Sequence, residues 1–374
     1  MKKQFLLLGL AVAAMTSCTN DEVLDVQQPV QKAIGFEGFV NKGTRVAVDN
    51  EVTADNLSRF YVFGYHDGDK VYSNGAVVEG VTNVVFDNVS VIRKEVNSEI
   101  SWDVNAVRDW QTQKYYFAAY ADGTGVASHA APTLQPSFSS ATLTFSDYTV
   151  SSTPANHTDL IAAVTEERNN TSSLDVSKVS LDFKHLLSKV NFKFSNTNTN
   201  NLKMEVSDVS FKVYTKADCS YKINNTTWSD WTEIAEYNID KPHKGTSVNK
   251  ITLNLPNEQT KEIESKYLIE RGNESDTSIE YFVIPGQTLE NDDAGNPIVG
   301  IITYTVAYYD TDNNQVEQYT QSLSLFPTSL AWQPSYIYNY DVELPASPKK
   351  IEFTVNSVGT WTSSGVPLDG SKSN

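Results

Sequence analysis

Five histidines, at 66, 129, 157, 185 and 243, and two cysteines, at 18 and 219, are the side chains of this chain best suited to act as bases, metal ligands or nucleophiles. Nucleophilic catalysis needs a serine or cysteine held beside a base, and there is no G-x-S-x-G elbow to hold one. The histidines do not recur at a helical or hairpin spacing that would pair them on a metal. His185, in Phe183-Lys-His-Leu-Leu-Ser-Lys-Val190, sits in an apolar setting and is expected to be structural. Tyr309-Asp-Thr-Asp-Asn-Asn-Gln315 opens like a calcium loop, yet it has Gln315 where glycine is needed and Gln321 where a bidentate glutamate is needed. It is better explained as a polar hairpin turn between Val306 and Val316. The acid pairs Glu166-Glu167 and Asp292-Asp293 lie in polar stretches, where carboxylates are usually solvated. Phosphate cradles, zinc spacings and dinucleotide fingerprints are absent, so neither a cofactor nor an enzyme activity is expected.

Cys18 is in a different position. Lys2 and Lys3 precede an apolar run from Phe5 to Met15, too short to cross a hydrocarbon core of roughly 30 Å as a helix. It has the form of a signal peptide, residues 1–17. Met15-Thr-Ser-Cys18 resembles a lipobox, so Cys18 is expected to become the first mature residue and to carry lipid, palmitate included. Residues 18–30 form a polar tether without strand or helix period, and the acids Asp21 and Glu22 just behind Cys18 resemble a surface-export signal. The outer membrane, reached through lipid on Cys18, and a surface-exposed body are therefore expected. With Cys18 acylated, Cys219 has no disulfide partner. It falls on one face of a period-2 pattern with Phe211, Val213, Tyr221 and Ile223, as a small core residue would.

The elements that must position these residues are strands. Aromatics make up 11% of the 374 residues, with Tyr, Thr, Val, Asn and Ser recurring throughout, which favours an all-β chain. Its length suits two domains. Short apolar runs succeed one another between Gly, Asp, Asn and Pro turns, among them Arg59–Tyr65, Val84–Phe86, Val89–Ile92 and Tyr115–Tyr120. The polar stretch Thr165–Ser173 marks the expected boundary, giving domains at 31–172 and 173–374. Asn257–Tyr267, behind Pro256, has the one helical look. A net charge of −17 and a pI near 4.7, with no Lys/Arg cluster, argue against nucleic acid as a partner.

At the start of the first domain, Lys32-Ala-Ile-Gly-Phe-Glu-Gly-Phe-Val40 alternates like a strand and runs into a glycine-containing loop that carries Arg45. This pattern suggests a detachable strand with Ile34, Phe36 and Val40 facing the core. Tyr221, Trp228 and Trp231, the last two in Trp228-Ser-Asp-Trp231, which reads as a loop, could form an aromatic patch for a glycan or host protein, or could be core and edge residues.

Phe60-Tyr-Val-Phe-Gly-Tyr65, Trp110 before Tyr115-Tyr-Phe-Ala-Ala-Tyr120, Asp159-Leu-Ile-Ala-Ala163, Phe183-Lys-His-Leu-Leu-Ser-Lys-Val-Asn-Phe192, Tyr281-Phe-Val-Ile-Pro285 and Trp332-Gln-Pro-Ser-Tyr-Ile-Tyr338, leading to Ile351-Glu-Phe-Thr-Val355 and Trp361, together resemble the fimbrillin family, the subunits of type V pili. The resemblance implies two transthyretin-like β-sandwich domains in tandem and export as a lipoprotein. It also implies that an arginine-specific protease removes the first strand, after which a strand of a neighbouring subunit fills the groove. Arg45 in Gly43-Thr-Arg-Val46 matches the cut, which leaves Val46 as the new N-terminus. Its partners would be copies of itself or other fimbrial subunits. Ile351, Phe353 and Val355 repeat the Ile-x-Phe spacing of the first strand and are the candidate donor, unless they belong to the last core strand. The expected function is a fimbrial subunit with a role in adhesion; the alternative is a monomeric surface lipoprotein that binds a glycan or host protein. Stalk, tip and anchor roles all fit the sequence.

Overall fold

A computed structural model describes residues 33–40, 51–53, 56–67, 71–73, 76–78, 82–97, 99–111, 113–123, 136–170, 177–239, 241–275, 280–326, 331–344 and 353–360. The described residues are all-β, with three short 3-10 turns and no α-helix. In the first part of the chain the main strands are β1 (Phe36–Val40), β2 (Arg59–Asp67), β3 (Thr82–Val96), β4 (Glu99–Val104), β5 (Lys114–Asp122), β6 (Thr142–Thr149), β7 (Leu160–Val164) and β8 (Val179–His185). In the second part they are β9 (Ser188–Asn196), β10 (Lys203–Lys222), β11 (Asn225–Asn238), β12 (Tyr281–Val283), β13 (Ile301–Tyr309), β14 (Gln315–Ser324), β15 (Tyr336–Leu344) and β16 (Phe353–Thr360).

Three sheets carry the fold. The first runs β1-β8-β7-β5-β2-β3-β4, the second β12-β9-β15-β16, and the third β14-β13-β10-β6, with β11 also paired to β10. Side chains alternate across a strand, so the first sheet can bury both faces if each is covered. One face buries Phe60, Val62, Phe117, Ile161, Leu181 and Phe183, with Ile34 and Phe36. The opposite face buries Phe63, Ala118, Tyr120, Leu160 and Ala162 against Phe145 of β6 and Cys219 of β10. That two-sided burial is why Leu160-Ile-Ala-Ala-Val164 is apolar throughout instead of alternating. A further core lies between the second and third sheets, around Phe192, Phe194, Phe211, Tyr304 and Trp332.

The spine is β10. Its burial alternates from Phe211 to Tyr221, and its two ends serve two cores: Met204 to Val213 face one, Ala217 to Tyr221 the other. Strand pairing also crosses the expected division at 172/173. Val179–His185 belongs to the first sheet, while Thr142–Thr149 pairs with β10 in the third. The chain passes from the first sheet to the second over Leu186 and Leu187, both 0% exposed.

Three local expectations change. Val84–Phe86 and Val89–Ile92 are one strand, β3, because Asn88 takes a left-handed φ of 52° and the register against β2 shifts nearby at Gly64, where the sequence suggests a turn. Asn257–Tyr267 is not helical: Thr260–Glu264 pairs antiparallel with Lys250–Asn254, burying Leu253 and Ile263, between 3-10 turns at Pro256–Glu258 and Ser265–Tyr267. Trp228-Ser-Asp-Trp231 lies in strand β11, not in a loop. The Tyr309–Gln315 segment is a hairpin turn, with Asp310 Oδ1 accepting from the Asp312 and Asn314 main-chain N–H groups at 2.9 and 2.8 Å.

Candidate functional site: the first strand and its groove

β1 is an edge strand that pairs parallel with β8, from Phe36↔Val179 to Val40↔Phe183. Ile34 and Phe36 alternate onto the core face and are 3% and 1% exposed. Phe36 enters an aromatic pocket, edge-on to Phe86 at 5.4 Å and to Phe117 at 5.8 Å. Gly64 makes that pocket possible, since a Cβ there would stand 2.8 Å from Phe117 Cδ1. Burial of the two side chains contributes roughly 3 to 6 kcal/mol. Ahead of the strand, the Ile34 N–H donates to Arg108 O at 2.7 Å and Ala33 bridges Asp109.

The neighbour of β1 is weakly held on its other side. The ladder between β8 and β7 consists of Ile161↔His185 and Ala162↔Lys184, at the far end of β8. Residues Val179 to Phe183 therefore take their ladder partners from β1. Without β1, Val179, Leu181 and Phe183 would keep their core positions while their main-chain groups lost a sheet partner. A missing ladder of this kind costs about 0.5 to 1.5 kcal/mol per hydrogen bond, and more where the groups stay buried.

Past Arg45 the chain is fastened again at residues 51–53. The Val52 N–H donates to Asp159 Oδ2 at 2.9 Å, and the same oxygen lies 2.8 Å from His185 Nδ1. Asp159 is 0% exposed and His185 4%. Beside them the Lys189 ammonium, 1% exposed, sits 2.5 Å from Glu51 and 3.1 Å from Glu280. A buried cation is tolerable only where carboxylates replace its water. Asn56 folds the next turn, accepting from the Thr53 N–H at 2.7 Å and donating to Glu51 O at 2.6 Å. Val52 and Leu57, 0% and 1% exposed, complete the plug. Sequence reasoning misses this cluster: Glu51 lies in no motif, and Asp159, His185 and Lys189 lie in family signatures that do not pair these side chains with one another.

A second polar key joins the two parts of the chain. His157 is 2% exposed; its Nε2 lies 2.9 Å from Ser151 O, and its Nδ1 accepts from the Phe282 N–H at 3.2 Å. Burial pushes its pKa down to about 4, against a smaller opposing effect of the Ser151 carbonyl. The imidazole is thus neutral, with Nε2–H as donor.

Cys18, Arg45, Val46 and Ile351 lie outside the described residues. Val40 is at the end of β1, and Phe353 and Val355 lie in β16, paired with Val342 and Tyr340 of β15 in their own chain. Cys219 is fully buried, and burial pushes its thiol pKa far up. The aromatic patch does not face outward: Tyr221 and Trp228 are 4% and 6% exposed in the core, and Trp228 Nε1–H donates to Leu186 O at 3.0 Å. Trp231, partly buried against the same core, donates to Pro285 O at 3.2 Å. Pairing of Trp228 with Cys219 turns its ring inward, so these three residues offer no platform. Among the described residues no group of His, Cys, Asp and Glu could hold a metal ion.

Comparison with protein families matches residues 44–361 to a family described as fimbrillin-like. Among solved structures, a fimbrial protein from Bacteroides vulgatus is 19% identical, with a TM-score of 0.50 over 88% of this chain and 100% of that one. A candidate cell adhesion protein from Bacteroides uniformis is 13% identical, with a TM-score of 0.39 over 90% of this chain and 100% of that one. No curated protein sequence gives a match. At 19% identity the likeness to the first structure is one of fold.

Proposed function

The chain belongs to the fimbrillin-like family, and from that premise we propose that it is a fimbrial subunit that polymerises by exchanging its first strand. The family is structural, and the chain is not an enzyme. In our reading the protein is exported as a lipoprotein on Cys18, reaches the outer surface, and is cut after Arg45 by an arginine-specific protease. β1 then leaves, and an extended segment of a neighbouring subunit takes its place beside β8. Two transthyretin-like sandwich domains in tandem, meeting between the first sheet and the other two, form the body of the subunit, and the fimbrium is its location. Adhesion belongs to the same proposal, although its ligand is not carried by Tyr221, Trp228 or Trp231.

One observation carries the reading: β1 is the principal ladder partner of Val179–Phe183, while the chain downstream of Arg45 is fastened independently through Glu51 and Val52. A strand can be subtracted there without loosening the segment that leads into β2. The vacated edge is a template for β-augmentation, with main-chain bonds giving affinity and the Ile34 and Phe36 pockets giving register. Ile351, Phe353 and Val355 remain the proposed donor, which would have to leave β15 to reach a neighbour. Replacing Arg45 by alanine tests the proposal: high-mass ladders on the cell surface should disappear while the monomer persists. Ladders that survive R45A would refute trimming at this position.

A further inference from the structure

The sheets end in edges that differ in how they are guarded. β11 carries Asp230 and Glu233 at φ of 54° and 55°, and its register against β10 shifts between Lys216 and Asp218. Left-handed residues, charges and bulges blunt an edge against pairing with another chain. β4 is six residues long and holds Asp103 in an ion pair with Lys94 at 2.5 Å. At other edges, Ser137–Ser139 and β12 are three residues each.

β14, Gln315–Ser324, is guarded only by one charge, Glu317, and by a register shift confined to its turn end. It is ten residues long, pairs with β13 on one side and, among the described residues, ends the sheet on the other. The register holds from Ile301↔Ser324 to Tyr308↔Glu317 and shifts only beside the turn. No residue of β14 has a positive φ, and the strand contains no Gly, Pro or Lys. Val316, Gln318, Thr320 and Ser322 form an exposed row, with Val316 59% exposed. Thr320 and Ser322 pair their hydroxyls with Thr305 and Thr303 across the hairpin at 2.9 and 2.8 Å.

We propose that the outer edge of β14 docks side to side with β14 of a second copy of this chain, as an antiparallel pair about a two-fold axis. Charge selects this occupant. At a net −17, copies repel one another, and they can approach only along a nearly neutral strip; in Gln315–Ser324 the one carboxylate is Glu317. Amide and hydroxyl side chains both donate and accept, so a row of them is complementary to itself under a two-fold, as an isologous interface requires. A foreign peptide would need side-chain pockets for its specificity, and the exposed row offers none. The pairing would join two third sheets across one new ladder, and it is separate from strand exchange at β1. Along a fibre the same weak edge would recur in every subunit, so lateral bundling would gain from avidity.

Sedimentation of the full chain carrying Cys18→Ser and Arg45→Ala tests this without lipid or trimmed polymers. The expected result is a reversible, concentration-dependent dimer. Gln318→Lys with Thr320→Lys, which places four like charges at the contact, should weaken that dimer by about tenfold or more, equivalent to ~1.4 kcal/mol. Ile234→Lys on the guarded β11 edge should leave it unchanged. All three positions are exposed, and unchanged circular dichroism confirms the fold. A chain that stays monomeric up to its solubility limit, or a dimer indifferent to Q318K/T320K, overturns the proposal.

Discussion

Glu51 and Lys189 meet at 2.5 Å across a sequence separation of 138 residues, joining the segment that leads into β2 to a strand of the second sheet. Lys189 is 1% exposed and shares its charge with Glu280 as well. The contact holds the chain in place just beyond the proposed cut.

Lys189→Ala is therefore expected to destabilise the protein by about 3 to 5 kcal/mol, because Glu51 and Glu280 are left without their cation. Lys189→Met should cost less when Glu51→Gln and Glu280→Gln are made with it. Urea unfolding of the variants measures both. Equal losses in the single and triple variants would show that the ammonium contributes packing and not charge.

Phe36→Ala should cost the untrimmed precursor about 3 to 5 kcal/mol, since the ring fills the pocket between Phe86 and Phe117. In subunits that have lost residues up to Arg45 the same substitution should have no effect, because the residue is gone. Melting of precursor and fimbrial material from one strain checks this. An equal loss in both would mean that β1 stays in place.

His157 predicts how stability depends on pH. Its folded pKa, near 4, lies below the ordinary value of 6.5, so between those values the unfolded chain binds the extra proton. Stability from this group is complete above about pH 6.5, falls as pH drops, and is lost by about pH 4, for a total of about 3 kcal/mol. Protonation also turns Nδ1 from acceptor to donor against the Phe282 N–H. In His157→Gln, urea midpoints should be flatter across pH 4 to 6.5 than in the parent. A parent and variant with parallel profiles would remove His157 as the cause.

The alternation of β10 and the Ile34-x-Phe36 spacing are legible in the sequence because a period of two marks a buried face wherever it falls. Period alone does not name the neighbour. That β1 lies against Val179–Phe183, and that Thr142–Thr149 crosses to β10, depends on contacts far apart in the chain, so the pairings run across the division expected near residue 172. Trp228 reads as a loop aromatic because charged and hydroxyl residues surround it. Its pairing with Cys219 shows that those neighbours are the exposed side of a strand. The Asp159–His185 and Glu51–Lys189 contacts have no local signature, since each charge reads as solvated until its partner is in place.

The account depends on β1 being absent from the assembled fibre. N-terminal sequencing of protein sheared from the cell surface and recovered in high-mass ladders tests this most directly. The expected sequence begins Val46-Ala-Val-Asp. Ladders whose subunits still begin at an acylated Cys18, with residues 33–40 present, would contradict it.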